Sequence, residues 1–421
     1  MKIGKLQIII TALAIVAGIL AVLVFSGVLP GYGGSGSKNR VSLTMWGTIS
    51  ESAFKNTLID LKKSNIYITY QEKNPSTFER EFIDALARQK GPDLIIFPSE
   101  MILPEKNKLQ IIPFETIGER LFRDTFADGT ELLLTETGAA GIPILIDPIV
   151  LYWNKDIFRN ESIADSPKTW NEFLTTSQVL TKFDGSGNIA RAGSALGIEV
   201  NVNHFKEIVS LLVLQTGSPI IDSKTLKVKF DGMNEALRFF TEFSDPQKFS
   251  YSWAKSMPES KDAFIKESLA IYFGFGSEYH SLKEKNPHLN FDISEVPQVL
   301  NGKLSLTYGK FYSIGITSQA KNFAGALSAT QAMASKEQVQ KISEGAFMAP
   351  ARRDLLKEGT TNAPLQTIFK QAIKFRSWLD INYEKTSEIF AGMIKSVYTR
   401  TKTEEQASKD AKDQLDALYN Q

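Results

Sequence analysis

Cysteine is absent from this sequence, although the chain is 421 residues long. Its absence excludes disulfides, thiolate catalysis, cysteine-ligated zinc and a lipid-modified N-terminal cysteine. Histidine is nearly absent too, because the chain has three, His204, His280 and His288, and no two of them form a metal-spaced pair. A large net charge is also missing, since 48 Lys and Arg stand against 47 Asp and Glu, which gives a formal net charge of +1. We therefore expect no nucleic-acid partner, no metal and no cofactor.

Enzyme motifs are equally sparse. The segment GFGSEYH contains Gly274 and Gly276, but it lacks the third glycine of a dinucleotide turn and the Lys-Ser/Thr pair of a phosphate loop. Carboxylates are plentiful, yet no spacing singles out a pair suited to glycoside hydrolysis. We predict that the protein is not an enzyme, with a surface glycan hydrolase as a minor alternative.

The N-terminus carries a long uncharged stretch. Residues 6–29 follow Lys2 and Lys5 and contain no charge, which is long enough for a membrane-crossing helix and long for a cleaved signal. Residues 30–40 are rich in Gly and Ser and predict a flexible tether. The lysines keep the N-terminus cytoplasmic and place the rest outside. We predict a single-pass membrane anchor or uncleaved signal at 6–29, with cleavage near Gly27 as the alternative.

The rest of the chain alternates between strand and helix patterns, which predicts an α/β fold. In VSLTMW the residues Val41, Leu43 and Met45 face one way and Trp46 faces the other. Capping boxes are predicted where Thr169 and Thr403 precede helices, with Glu172 and Gln406 three residues on. Further helices are predicted at 52–63 and 76–89, and strands at 66–72 and 91–98.

One apolar run has an unusual interruption. Residues 144–153 read ILIDPIVLYW, and this run is too long and too apolar for a solvent-facing hairpin strand. Pro148 lies in its middle and cannot donate a ladder hydrogen bond. The pattern therefore predicts a buried strand with a break at its centre.

Five segments in order resemble bacterial extracellular solute-binding proteins of the carbohydrate-transporter type, the group that includes maltose-binding protein. They are GIPILIDPIVLYWNKDIF, PKTWNEF, DAFIKESLAIYFGFGSEY, LSLTYGKFYSIGI and FAGALSATQAMASKEQVQKISEGAFMAPARRDLL. The resemblance runs from about Val41 to the C-terminus. It implies a two-lobed periplasmic-binding-protein fold with a hinge between the lobes.

The resemblance also implies the lobe boundaries. The interrupted strand leaves the first lobe near Asp147 and enters the second after Pro148. Two more crossings are expected near 295–298 and 345–349. Lobe one then comprises 40–147 and 298–345, and lobe two comprises 150–295 and 350–421.

Candidate ligand-binding residues follow from sugar chemistry and from the ends of strands. Aromatic rings cover the apolar faces of sugars, carboxylates and amides bind the hydroxyls, and ligands in α/β lobes lie beyond the carboxyl ends of strands. Trp170 starts an amphipathic helix and is assigned to the core instead. The candidates are Trp46, Gly47, Glu51, Ser99, Glu100, Asp147, Trp253, Tyr279, Tyr308 and Trp378.

The function implied is capture of a mono- or oligosaccharide by hinge closure and its delivery to the permease subunits of an ABC importer. We expect a monomer that is tethered to the membrane. A tethered glycan-binding or sensory ectodomain without a transporter is the alternative. The sequence departs from the family pattern at Glu267, Glu278, Tyr308 and Lys310. The last three add charge and bulk where the family places its ligand, so a charged or modified sugar, or a non-sugar solute, remains open.

Overall fold

Fourteen strands and seventeen helices occupy residues 40–420, which are the residues that the computed structural model describes. The predicted anchor at 6–29 and nearly all of the predicted tether at 30–40 lie outside this range. No helix within residues 40–420 has the length and apolar character needed to cross a membrane. Four short 3₁₀ helices lie at Ser99–Met101, Lys106–Lys108, Thr130–Leu133 and Gly276–Glu278.

The strands are β1 (Val41–Gly47), β2 (Ile66–Glu72), β3 (Leu94–Pro98), β4 (Leu109–Gln110), β5 (Ile112–Pro113), β6 (Gly138–Ala139), β7 (Ile142–Asn154), β8 (Lys182–Phe183), β9 (Ile189–Ser194), β10 (Leu269–Phe275), β11 (Phe291–Ser294), β12 (Thr307–Thr317), β13 (Ala349–Pro350) and β14 (Phe375–Arg376).

The helices are α1 (Glu51–Lys63), α2 (Phe78–Ala87), α3 (Ile102–Glu105), α4 (Phe114–Ile117), α5 (Glu119–Thr125), α6 (Lys155–Asn160), α7 (Trp170–Leu180), α8 (Phe205–Gln215), α9 (Met233–Glu242), α10 (Ser260–Ile265), α11 (Tyr279–Lys285), α12 (Phe323–Met333), α13 (Lys336–Ala346), α14 (Arg353–Glu358), α15 (Ala363–Ile373), α16 (Tyr383–Tyr398) and α17 (Glu404–Tyr419).

One sheet connects almost all the strands, and its main path runs β2-β1-β3-β12-β7-β10-β9-β8. Strands β11 and β13 pair with β7, while β4 and β14 pair with β12. The pairs β1–β2, β1–β3 and β9–β10 are parallel, whereas β7 and β12 run antiparallel to their main partners. Parallel strands with helices between them confirm the α/β prediction.

The first strand and the first two helices follow the apolar pattern of the sequence. In β1, Leu43 and Met45 are buried, while Trp46 on the opposite face is half-buried. In α2, Phe78 and Phe82 are buried one turn apart, as the spacing predicts. Strand β3 has its apolar residues buried on both faces, which is typical of a central strand covered by helices.

Strand β7 changes its partners at Pro148. Residues 142–148 pair with β12 and also with β13, and residues 149–154 pair with β10 and β11. Pro148 lies opposite Gly309, where a Cβ atom would lie 3.0 Å from the proline Cα. The missing N–H of proline falls where the ladder changes partner, so little pairing is lost. The strand is continuous over thirteen residues, and the predicted break is this change of partner.

Two of the helix starts carry the predicted caps. The Thr403 hydroxyl accepts from the Gln406 N–H, and the Gln406 side chain accepts from the Thr403 N–H, which completes a capping box. The Thr169 hydroxyl accepts from the Glu172 N–H, but the Glu172 carboxylate accepts from Lys168 instead of closing the box. The predicted core position of Trp170 is confirmed, since this residue is buried.

Candidate functional site

A cavity of about 270 Å³ lies between the β1–β3 part of the sheet and the end of β10. Its walls come from the carboxyl ends of β1, β3 and β10, from the middle of β12, and from the N-termini of α2, α8 and α16. Open α/β sheets place ligands beyond the carboxyl ends of their strands. The lining residues are Thr48, Pro75, Phe78, Glu79, Pro98, Glu100, Met101, His204, Glu207, Phe275, Lys310, Tyr312 and Tyr383.

Glu100 stands in the wall formed by the end of β3. The Ser99 hydroxyl contacts the Glu100 carboxylate at 3.4 Å, and the same hydroxyl accepts from the Phe311 N–H at 3.4 Å. Burial raises the pKa of Glu100, while the nearby Lys310 ammonium opposes that rise. An ionised Glu100 therefore costs free energy in the empty site.

Glu207 enters the cavity from the first turn of α8 and is 2% exposed. One of its oxygens, Oε1, accepts a hydrogen bond from the Tyr383 hydroxyl at 2.8 Å. The other oxygen, Oε2, has no hydrogen-bond partner among residues 40–420. A carboxylate oxygen at a cavity wall is thus open to a ligand donor.

Lys310 is the ammonium in the cavity wall, and it projects from β12. Its Nζ lies 4.2 Å from the centre of the Phe275 ring, and within the described part of the chain it forms no ion pair. Burial lowers the pKa of Lys310, but Tyr312, Glu100 and Asp147 together raise it above its ordinary value. Lys310 is therefore a cation at neutral pH.

Asp147 lies directly across the β7–β12 ladder from Lys310. It is fully buried and accepts hydrogen bonds from the Ser277 N–H at 3.0 Å and the Ser277 hydroxyl at 2.6 Å. Burial raises the pKa of Asp147, whereas Lys310 and Ser277 lower it. Asp147 thus bonds the end of β10 to β7 and stands behind the cavity wall.

His204 lies directly before α8 in the cavity lining, and its imidazole contacts the Glu278 carboxylate. The imidazole Nε2 lies 2.6 Å from Glu278 Oε1, and Lys261 contacts Glu278 Oε2 at 2.7 Å. Burial alone would raise the pKa of Glu278, but His204 and Lys261 hold it below its usual range. The partnership raises the pKa of His204 although burial opposes it. Glu278, a departure from the family pattern, therefore orders the wall.

A second ion pair closes the base of this wall. Lys206 is 2% exposed, and its Nζ lies 2.5 Å from Asp380 and 2.6 Å from the Thr386 hydroxyl. The same ammonium lies 4.0 Å from the centre of the Tyr383 ring. This buried pair fixes α8 to α16, so that Glu207 and Tyr383 meet.

The sequence of this chain matches a known family over most of its length. Residues 59–367 fit the model described as bacterial extracellular solute-binding protein. The chain belongs to this family. Curated relatives in Brucella abortus and Brucella suis, named as binding proteins, are 23% identical over 286 residues, which is 66% of this chain and 67% of theirs.

Solved structures of solute-binding proteins share the fold. A Thermotoga lettingae ABC transporter solute-binding protein, bound with α-D-tagatose, matches with a TM-score of 0.67 at 20% identity. The match covers 90% of this chain and 100% of the Thermotoga lettingae chain. The cyclic α-maltosyl-1,6-maltose binding protein of Arthrobacter globiformis matches with a TM-score of 0.77 at 15% identity, over 90% and 99% of the two chains.

Several predicted ligand residues of this solute-binding protein lie near the cavity without lining it. Glu100 is the one predicted candidate that lines it. Trp46 is half-buried two residues before Thr48, and the Lys73 ammonium lies 3.8 Å from its ring centre. Gly47 is buried, where a Cβ would lie 2.8 Å from the Tyr70 hydroxyl. Glu51 is exposed at the start of α1.

Other predicted ligand residues are packed into the core. Trp253 is fully buried, and its indole N–H donates to Asn201 at 2.9 Å. Trp378 is 4% exposed, and its N–H contacts Ser210 at 3.3 Å. Both indole N–H groups have partners and both rings are buried, so these two residues pack in the core. Tyr308, on β12, is likewise buried.

Tyr279 lies at the start of α11, away from the cavity lining. Its ring stacks on Phe347 with centroids 5.0 Å apart. Phe347 follows α13 and has a left-handed backbone with φ of 54°. The stack therefore fixes the turn that leads from α13 to β13.

The cavity also contains residues that the sequence arguments missed. Glu207 and Tyr383 were not singled out, and neither were Glu79, Phe275 and Tyr312. One signal was present, because Lys206 and Glu207 open a helix that is otherwise almost wholly apolar, KEIVSLLVLQ. Ionised residues on a buried helix are costly unless they are paired or used.

Within residues 40–420, no group of three or more His, Asp or Glu side chains is arranged to hold a metal ion. The cavity presents three carboxylates, one ammonium, phenol hydroxyls and aromatic rings. Such a set binds a polar solute by charged hydrogen bonds and ring contacts.

Proposed function

We propose that this protein captures a carbohydrate in the cavity and releases it chemically unchanged. The observation that carries the proposal is the lining itself, which combines aromatic rings with three carboxylates, Glu100 after β3, Glu79 on α2 and Glu207 on α8. Rings cover the apolar faces of sugars, and carboxylates accept from their hydroxyls. The cavity is slightly smaller than typical small-ligand pockets of about 300–1,000 Å³, which suits a mono- or disaccharide.

The proposed capture involves a hinge at the change of partner in β7. Lobe one would comprise 40–147 with the strands around β3, and lobe two 150–295 with the strands around β10. Residues 297–306 bond to Gln215 and to Lys168, which supports a second crossing at Gly309 instead of the predicted one near 295–298. A few residues around Pro148 and Gly309 would then absorb the backbone φ/ψ changes of hinge closure.

Delivery to an ABC importer and tethering by residues 6–29 complete the proposal. One solved neighbour named above is bound with α-D-tagatose, and the other is a cyclic α-maltosyl-1,6-maltose binding protein, which supports a sugar ligand for this chain. Recovery of the protein with an N-terminus near Tyr32 would refute the tether and leave the binding function intact.

A calorimetric screen of neutral and modified mono- and disaccharides tests the binding function. A ligand at a hundredfold excess over its dissociation constant should stabilise the protein by about 2.7 kcal/mol. Mass analysis after prolonged incubation should return the sugar unaltered. Absence of any sugar binding would refute the proposal, and turnover that a Glu100→Gln or Glu207→Gln substitution abolishes would make the protein a hydrolase.

A further inference from the structure

The cavity has more negative than positive charge in its lining. Glu79, Glu100 and Glu207 line it, and Asp147 lies behind Lys310. Glu100 and Glu207 form no ion pair with any described residue. Lys310 is the one lysine or arginine among the lining residues, and the other lining cation, His204, is already committed to Glu278.

The charge excess has a physical consequence. Burial raises the pKa of Glu79 and Glu100, and a cation bound beside them would oppose that rise. A neutral sugar hydroxyl donates a hydrogen bond but brings no charge. A protonated amine brings a hydrogen-bond donor and a positive charge, and charged hydrogen bonds are roughly twice as strong as neutral ones.

One carboxylate has an open position for that amine. Glu207 is 2% exposed, and its Oε1 is held by Tyr383. Its Oε2 is without a hydrogen-bond partner in residues 40–420, and Glu207 belongs to the cavity lining. Tyr383 therefore fixes the carboxylate and leaves its second oxygen for a donor.

We propose that the solute is an amine-bearing carbohydrate, in which a protonated amino group binds between Glu207 and Glu100. This inference rests on the proposed function and makes it more specific. The rings of Tyr312 and Phe275 would contact the apolar face of the sugar. Lys310 would limit the net negative charge and donate to a ring hydroxyl.

Calorimetry with matched sugars tests this inference. The probes are glucosamine, glucose, N-acetylglucosamine and glucuronic acid, then the galactose and mannose counterparts, and the β-1,4-linked dimers of glucosamine and glucose. In at least one series the free amine should bind at least tenfold more tightly than the hydroxyl and N-acetyl forms. Equal or tighter binding of a neutral or acidic form in every series would overturn the inference while sugar binding stands.

Carboxylate variants and a diamine probe test whether the two glutamates bind the amine and whether the sugar is needed. Glu207→Gln and Glu100→Gln should each reduce the preference for the amine by about tenfold, with folding checked by circular dichroism. Glu284→Gln, on the exposed face of α11, is the matched control and should change nothing. Binding of putrescine without any sugar would overturn both the inference and the carbohydrate function, as would a failure of all sugars to bind.

Discussion

Two lysines near the cavity, the buried Lys206 and the half-buried Lys310, have different surroundings. Lys206 contacts Asp380, Thr386 and the Tyr383 ring. Lys310 contacts the Phe275 ring, and no ion pair to it exists in the described chain. The first lysine has the partners of a structural residue, while the second has an ammonium with positions left for a ligand.

The difference shows how charge is divided in this protein. Around Lys206, charges pair with each other and fix helices α8 and α16. Around Lys310, carboxylates are in excess, and burial raises the pKa of Glu100. Stability is thus concentrated in one cluster and binding capacity in the other, which is a common trade-off at functional sites.

The largest expected effect separates these two lysines. Lys206→Met should lower the free energy of unfolding by about 3–5 kcal/mol, because Asp380 would stay buried without its partner. Lys310→Met should cost less than half of that, since nearby carboxylates can take up protons. Urea denaturation followed by circular dichroism measures both. Equal losses would show that Lys310 is structural as well.

The next effect concerns the pH dependence of the His204–Glu278 pair. The pKa of His204 is raised in the folded state, so its contribution is complete below about pH 6.5, its unfolded value, and is lost as the pH rises through the folded value. The pKa of Glu278 is lowered, so its contribution is present above about pH 4.3 and is lost as the pH falls through the folded value.

Between these limits both contributions are present. His204→Gln should therefore cost on the order of 1–3 kcal/mol near pH 5.5, the usual range for a charged hydrogen bond, and less as the pH rises. Denaturation curves from pH 5 to 9 for the wild type and the variant measure this difference. A difference that stays constant with pH would contradict an ionised pair.

Much of the fold could be predicted because its signals are local. The alternation in β1, the spacing of Phe78 and Phe82 in α2, and the Thr403 cap are fixed by residues within a few positions of each other. Even the change of partner in β7 had a local sign in Pro148. Glu100 could be placed at the cavity because it lies two residues after the end of β3.

The rest of the site depends on contacts between distant residues. Glu207 and Tyr383 meet across 176 positions. In the core, the indole N–H of Trp253 bonds to Asn201, 52 residues away, and the indole N–H of Trp378 contacts Ser210. A tryptophan near a strand end has the same local pattern whether it faces a core or a ligand, so the sequence could not separate these cases.

A smaller and opposite effect is expected at the Lys310 cluster. Because burial raises the folded pKa of Glu100, its ionisation destabilises the empty protein above about pH 4.3, its unfolded value. Glu100→Gln should therefore stabilise the empty protein at pH 7 by about 0.5–2 kcal/mol. The gain should shrink toward pH 4. Thermal unfolding at both pH values decides this, and a destabilised variant at pH 7 would contradict it.

The smallest expected effect involves a third lysine on an aromatic ring. Lys73 lies over the Trp46 ring at 3.8 Å and also contacts Glu81 at 3.5 Å. A partly exposed contact of this kind contributes about 0.5–1 kcal/mol, so Trp46→Ala should cost far less than Trp253→Ala, for which about 3–5 kcal/mol is expected. Trp46 is outside the cavity lining, so Trp46→Ala should leave monosaccharide affinity unchanged. Calorimetry with a trisaccharide completes the test. If Trp46→Ala weakens the affinity for the trisaccharide alone, the binding surface continues from Thr48 onto Trp46, and the ligand displaces Lys73 from the ring.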